Sequence, residues 1–65
     1  MGKPNLYIAF YGKDGTAVKY GPYFSARIDG FDVCGREWVC YEVQDENKQF
    51  NRITVPYYAT LLAVI

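Results

Sequence analysis

Histidine is missing from this chain altogether, and its 65 residues contain no Gly-x-Ser-x-Gly segment, glycine-rich phosphate loop or Cys-x-x-Cys pair. Without imidazole, the common pairings of nucleophile and base cannot be assembled, which argues against an enzyme. The remaining acid and base candidates are carboxylates: Asp29 and Asp32 flank a bend, and Glu37 and Glu42 lie on one hairpin. A catalytic pair would need one of them shifted by burial, whereas charged groups at turns are ordinarily solvated, so none is expected among them. Cysteine is scarce too. The six-residue step from Cys34 to Cys40 spans roughly 20 Å if extended, far beyond the Cα separation of a disulfide, and only a sharp bend at Gly35 would bring the two together. Two thiols without histidine make a zinc site improbable, so buried free thiols and neither metal nor cofactor are expected.

Long apolar runs are absent as well. No stretch approaches the roughly 18 apolar residues that span a bilayer, and Met1 to Asn5 carries no signal-like apolar region. Leu6 occupies the position where myristoylation asks for Ser or Thr. The expectation is a protein with no membrane partner and a cytoplasmic location. Net charge is lacking: seven basic and seven acidic residues cancel and are scattered. The field that usually drives nucleic-acid binding is therefore missing, while near-zero charge favours association.

What the chain does have is aromatic rings: seven Tyr, four Phe and one Trp. A chain this short is one domain, residues 1–65, and buries only about 60% of its unfolded surface. Twelve aromatics exceed what one small core encloses, so several should face outward as a ligand or subunit surface.

The pattern along the chain is of short strands. Leu6, Ile8 and Phe10 alternate with Tyr7, Ala9 and Tyr11, which predicts a strand with an aromatic outer face. Gly12-Lys13-Asp14-Gly15 suits a tight hairpin, Thr16 to Tyr20 returns antiparallel, and Gly21-Pro22 is expected to end that segment. Tyr23 to Asp29 places Phe24, Ala26 and Ile28 inward; Gly30 permits a bulge, and Phe31 to Gly35 is expected to form a corner. From Arg36 to Val43, Glu37, Val39, Tyr41 and Val43 share one side and Arg36, Trp38, Cys40 and Glu42 the other; neither is wholly polar, so both faces are expected to be covered in part. Gln44 to Lys48 is a polar turn, and Gln49 to Val55 is the return strand. Pro56 must stop or bend it, because proline fixes φ and offers no N–H to a ladder. Leu61 to Ile65 then predicts a buried closing strand. No window carries capped 3.6-residue periodicity, so the fold class expected is all-β: a small five- to six-stranded antiparallel barrel with a short 3₁₀ turn near Pro56.

Ala9-Phe10-Tyr11, Trp38 and Val55-Pro56-Tyr57-Tyr58 resemble three landmarks of the Src-homology-three domain. These are the opening of its Ala-Leu-Tyr-Asp-Tyr strand, its groove tryptophan and its Pro-Ser-Asn-Tyr closing turn. Gly12 and Lys13 stand at the Asp-Tyr end of that strand pattern, Val39 at the second tryptophan and Ala59 at the last tyrosine. The resemblance implies an SH3-like barrel with a peptide groove. Ala26 to Asp32, ending in Phe31-Asp32, and Val55 to Ala59 are also similar to segments of Sm-like barrels, the bacterial Sm-like RNA chaperone included. That likeness implies subunits paired edge to edge, although Pro56-Tyr57-Tyr58 replaces the Tyr-Lys-His-type RNA contact.

The expectation is accordingly a non-enzymatic binding module that recognises a protein or peptide through Tyr7, Tyr11, Trp38, Pro56, Tyr57 and Tyr58 and self-associates as a homo-oligomer. Tyr11, Trp38 and Tyr58 are expected to converge as a platform. The alternative is an Sm-like ring binding single-stranded RNA, which the neutral charge disfavours.

Overall fold

Alternating side chains and turn residues become six paired strands in the computed structural model, which describes residues 2–31 and 37–65, the side chain of Phe31 excepted. The strands are β1 (Leu6–Tyr11), β2 (Ala17–Tyr23), β3 (Ser25–Phe31), β4 (Trp38–Gln44), β5 (Phe50–Pro56) and β6 (Thr60–Ala63). They form two antiparallel sheets of three, ordered β2-β1-β6 and β3-β4-β5. The expected all-β class is therefore found. Of the expected corner from Phe31 to Gly35, Phe31 is instead the last residue of β3, and the remainder, Cys34 within it, lies outside the described residues.

Local chemistry accounts for the two hairpins. In the first, the Asp14 carboxylate accepts the Thr16 N–H at 3.0 Å, and Gly15 takes the positive φ of 84° that a side chain would resist. In the second, one oxygen of Asp45 accepts the N–H groups of Asn47 and Gln49, each at 2.9 Å. The second Asp45 oxygen accepts from the Asn51 amide at 3.0 Å. Both turns thus satisfy their own backbone donors and need nothing from the rest of the molecule.

The core lies between the sheets and is aliphatic. Ile8 from β1 meets Val43 and Val55 from β4 and β5, all at most 1% exposed, with Phe10, Tyr23, Ala26, Tyr41, Ile53 and Ala59 packed around them. Val39 is buried nearby. Of the two sides that the alternation gives β4, the one carrying Val39, Tyr41 and Val43 faces the core. The outer face of the second sheet carries cross-strand ion pairs, Arg27 with Glu42 at 2.6 Å and Arg52 with Asp29 at 2.9 Å. Asp29 and Glu42, two of the carboxylates weighed for catalysis, thus pair with arginines on the surface.

Four further expectations need correction. Gly21-Pro22 does not end the second strand, which runs on to Tyr23. Gly21 takes a φ of 137°, and a Cβ there would lie 2.7 Å from the Leu6 carbonyl oxygen. Only glycine lets the two backbones come this close, beside the register shift between Leu6 and Ile8. Ile28, expected inward, is 59% exposed. It sits on an edge strand immediately before the bulge between Ile28 and Gly30, where alternation breaks down. The last strand ends at Ala63 and is exposed at all four positions rather than buried. It also does not close a ring, since among the described residues it pairs only with β1. A strand paired on one side only keeps more of its side chains in contact with water.

The sheets are joined at two points. Phe24 alone separates β2 from β3, and its N–H donates to Gln44 at 2.7 Å, so the chain crosses from one sheet to the other without losing its hydrogen bonding. At the other end Pro56 terminates β5, and the Ala59 N–H closes a turn onto the Pro56 carbonyl at 3.0 Å. The Tyr57 N–H donates to Glu37 at 2.9 Å, which ties that turn to the start of β4.

Candidate functional site

That turn brings most of the outward aromatics together. Pro56 pairs with Trp38 across β4 and β5, so the proline that stops β5 also sets Tyr57 and Tyr58 beside the indole. The Tyr58 hydroxyl donates to the Tyr11 carbonyl at 2.9 Å, fastening the turn to the end of β1. Phe10 stands edge-on to Tyr58 at 6.5 Å between ring centroids, and Tyr57 edge-on to Tyr58 at 5.5 Å. Such edge-to-face contacts are the favoured aromatic geometry and hold the rings in defined positions.

The result is an open groove of about 280 Å³ lined by Phe10, Gly12, Lys13, Glu37, Trp38, Pro56, Tyr57 and Tyr58. Pro56 is buried and forms its floor, whereas Trp38, Tyr57 and Tyr58 are 39%, 65% and 52% exposed. Tyr58 also borders a second, shallower depression of about 300 Å³, with Ala9, Phe10, Tyr11, Ala17, Thr60 and Leu62. Both hollows lie at or below the lower end of small-molecule pockets and are open to solvent, so they fit individual side chains of a partner better than an enclosed cofactor. Lys13 and Glu37 place one charge of each sign at the rim of the first groove.

Of the six expected contact residues, Trp38, Pro56, Tyr57 and Tyr58 share the groove, and Tyr11 lines the adjoining depression. Tyr7 does not join them. It lies near the ends of the chain, beside Pro4, Val64 and Ile65, with the Lys19 ammonium 4.7 Å from its ring centre. Phe10, Lys13 and Glu37 were missed as site residues. Phe10 reads from alternation as a core side chain and is one in part, its ring touching the core on one side and the groove on the other. Proximity to Trp38 in sequence was the available signal for Glu37.

Among the described residues no group of three His, Cys, Asp or Glu side chains is placed to hold a metal ion, and no helix is long and apolar enough to cross a membrane. Compared with family models, with curated proteins and with solved structures, the chain matches none.

Proposed function

We propose that this protein is a non-enzymatic binding module whose groove between Trp38, Pro56, Tyr57 and Tyr58 takes a protein or peptide segment, and that the module associates with copies of itself. The observation that carries the reading is the convergence of three exposed rings over a buried proline, braced by the hydrogen bond from Tyr58 to Tyr11. Rigid aromatics lose little entropy on binding and give large contact area, which makes them the usual anchors of recognition. The occupant is an extended segment presenting a proline or an apolar side chain to the slot beside Trp38, with polar neighbours meeting Lys13 and Glu37.

We read the two sheets as a partly open small barrel of the SH3-like or Sm-like kind. Support comes from the single-residue passage at Phe24 and from the turn after Pro56 that ends one sheet and begins the other. Self-association is supported by the absence of net charge and by the exposed rings and aliphatic side chains of Tyr11, Trp38, Tyr57, Tyr58, Leu61 and Leu62.

The test is fluorescence titration of the full chain with an array of short peptides carrying proline or leucine anchors, read through Trp38. A subset should shift the Trp38 emission saturably, and Trp38→Ala should weaken binding about 30-fold or more, as loss of an interface anchor does, with unchanged circular dichroism. A flat response across the array, or a Trp38→Ala protein that unfolds, would move Trp38 to a structural role. Salt-sensitive binding of oligouridylate instead would favour the RNA-binding ring.

A further inference from the structure

We infer that β6 is the self-association surface, and that two copies join isologously, β6 against β6, into one six-stranded sheet ordered β2-β1-β6-β6-β1-β2. This rests on the self-association reading above and names the strand, the register and the symmetry.

The argument starts from hydrogen bonding. The Val64 N–H donates to Asn5 at 2.9 Å, and the register of β1 with β6 pairs Tyr7 with Leu62 and Ala9 with Thr60. In an antiparallel ladder, hydrogen-bonded pairs alternate with non-bonded ones. Thr60, Leu62 and Val64 therefore turn their backbone groups toward β1, while Leu61 and Ala63 turn theirs outward. Among the described residues those outward groups meet no strand. They form a row of donors and acceptors on an edge whose side chains are all exposed.

Proteins guard such edges with charge, proline or bulges, and the other three edges here are guarded. β2 carries Lys19, Pro22 and lies opposite a register shift. β3 carries Arg27, Asp29 and a bulge, and β5 carries Arg52 and ends in Pro56. β6 reads Thr60-Leu61-Leu62-Ala63, with no charge, proline, glycine or bulge. A heterologous pairing would bring this bare edge against one of the guarded ones. Pairing with its own copy is the arrangement that meets no charge and no missing donor, and it closes as a two-fold dimer.

The outward groups also set the register. Both outward residues within the strand find partners when Leu61 faces Ala63 of the second copy and Ala63 faces its Leu61, which gives four main-chain hydrogen bonds. Leu62 then lies on the two-fold axis against Leu62 of the second copy, in the close non-bonded pairing where side chains approach most nearly. Leu61 and Leu62, now 45% and 43% exposed, would be covered together. Leu62 lines the depression that Tyr11 and Tyr58 border, so the dimer sets the two depressions side by side. A four-residue edge buries less than the roughly 1,200 Å² of a stable complex. The dimer is therefore weak and concentration-dependent.

Sedimentation equilibrium of the full chain up to about 1 mM should show the mass rising from 7.5 kDa toward twice that value. Leu62→Lys places two ammonium groups on the axis and should weaken the dimer on the order of 100-fold or more. Because β6 holds onto β1, that substitution carries some risk to the fold. A synthetic chain N-methylated at Ala63 is the second variant, since it removes only an outward donor. It should be monomeric with wild-type circular dichroism. A dimer that persists in both variants overturns the β6 assignment while leaving self-association standing. A wild-type chain that stays at 7.5 kDa throughout overturns both.

Discussion

Replacing Ile8 by Ala tests where this small protein keeps its stability. Ile8 is 1% exposed and, among the described residues, shares its central cluster with Val43 and Val55. A domain of 65 residues has a total stability of about 3–10 kcal/mol at the usual per-residue value. Truncating a buried isoleucine costs about 2–5 kcal/mol, the removed methylenes plus the cavity left behind. A cost of about 3 kcal/mol would lower the melting temperature by about 12–24 °C in a domain of this size. At the low end of the stability range it would unfold much of the population at room temperature. Leu61→Ala, at a position 45% exposed, should cost less than about 1 kcal/mol, because only part of its side chain has left water. The assay is urea denaturation of wild type and both variants at low micromolar concentration, where the monomer predominates, followed by circular dichroism and Trp38 emission. An Ile8→Ala protein within about 0.5 kcal/mol of wild type, or a Leu61→Ala variant as unstable as Ile8→Ala, would refute the placement of the core.

Two further outcomes follow from backbone and charge. Gly21→Ala forces a Cβ to within 2.7 Å of both the Leu6 carbonyl oxygen and the Tyr7 ring at a φ of 137°, and should destabilise by about 2 kcal/mol or more. Gly15→Ala, with φ 84° and open space around it, should cost only the left-handed penalty of about 1 kcal/mol, and parallel melts would separate the two. The hydrogen bond from the Thr16 amide, and then that from its hydroxyl, hold the Asp14 carboxyl below the ordinary aspartate range. A depressed folded-state value means that this carboxylate supports the first hairpin above the unfolded pKa and ceases to as pH falls through the folded one. Carboxyl NMR titration should find the Asp14 midpoint below that of an unstructured aspartate, and Thr16 amide protection should fade over the same pH window. An ordinary Asp14 midpoint would contradict the turn geometry.

Part of the candidate site was legible in the chain. Trp38, Pro56, Tyr57 and Tyr58 were recognisable because a proline that ends a strand keeps its neighbours local, and because twelve aromatics outnumber the places inside. Alternation groups Tyr7 with Tyr11 on one strand face. A strand is long enough, however, for its two ends to serve different neighbourhoods, and Tyr7 is near the chain ends while Tyr11 is at the turn. Alternation assigns the Phe10 side chain to one face only, whereas its ring is shared between core and groove.

Strand alternation, the Asp14-Gly15 hairpin and the break at Pro56 are written in the sequence itself, because they depend on residues a few positions apart whose sterics and hydrogen bonds are settled locally. Tertiary structure alone decided that β2 runs through Gly21-Pro22, that Ile28 stays in water and that, among the described residues, the fully buried side chains are the aliphatic Ile8, Val39, Val43 and Val55, with the rings of Phe10, Tyr23 and Tyr41 only packed around them. It alone decided that β6, among the described residues, lies at the edge of its sheet. Each of these depends on which distant strand comes alongside, and that is determined by the summed packing of both sheets, to which no short stretch of chain holds the key.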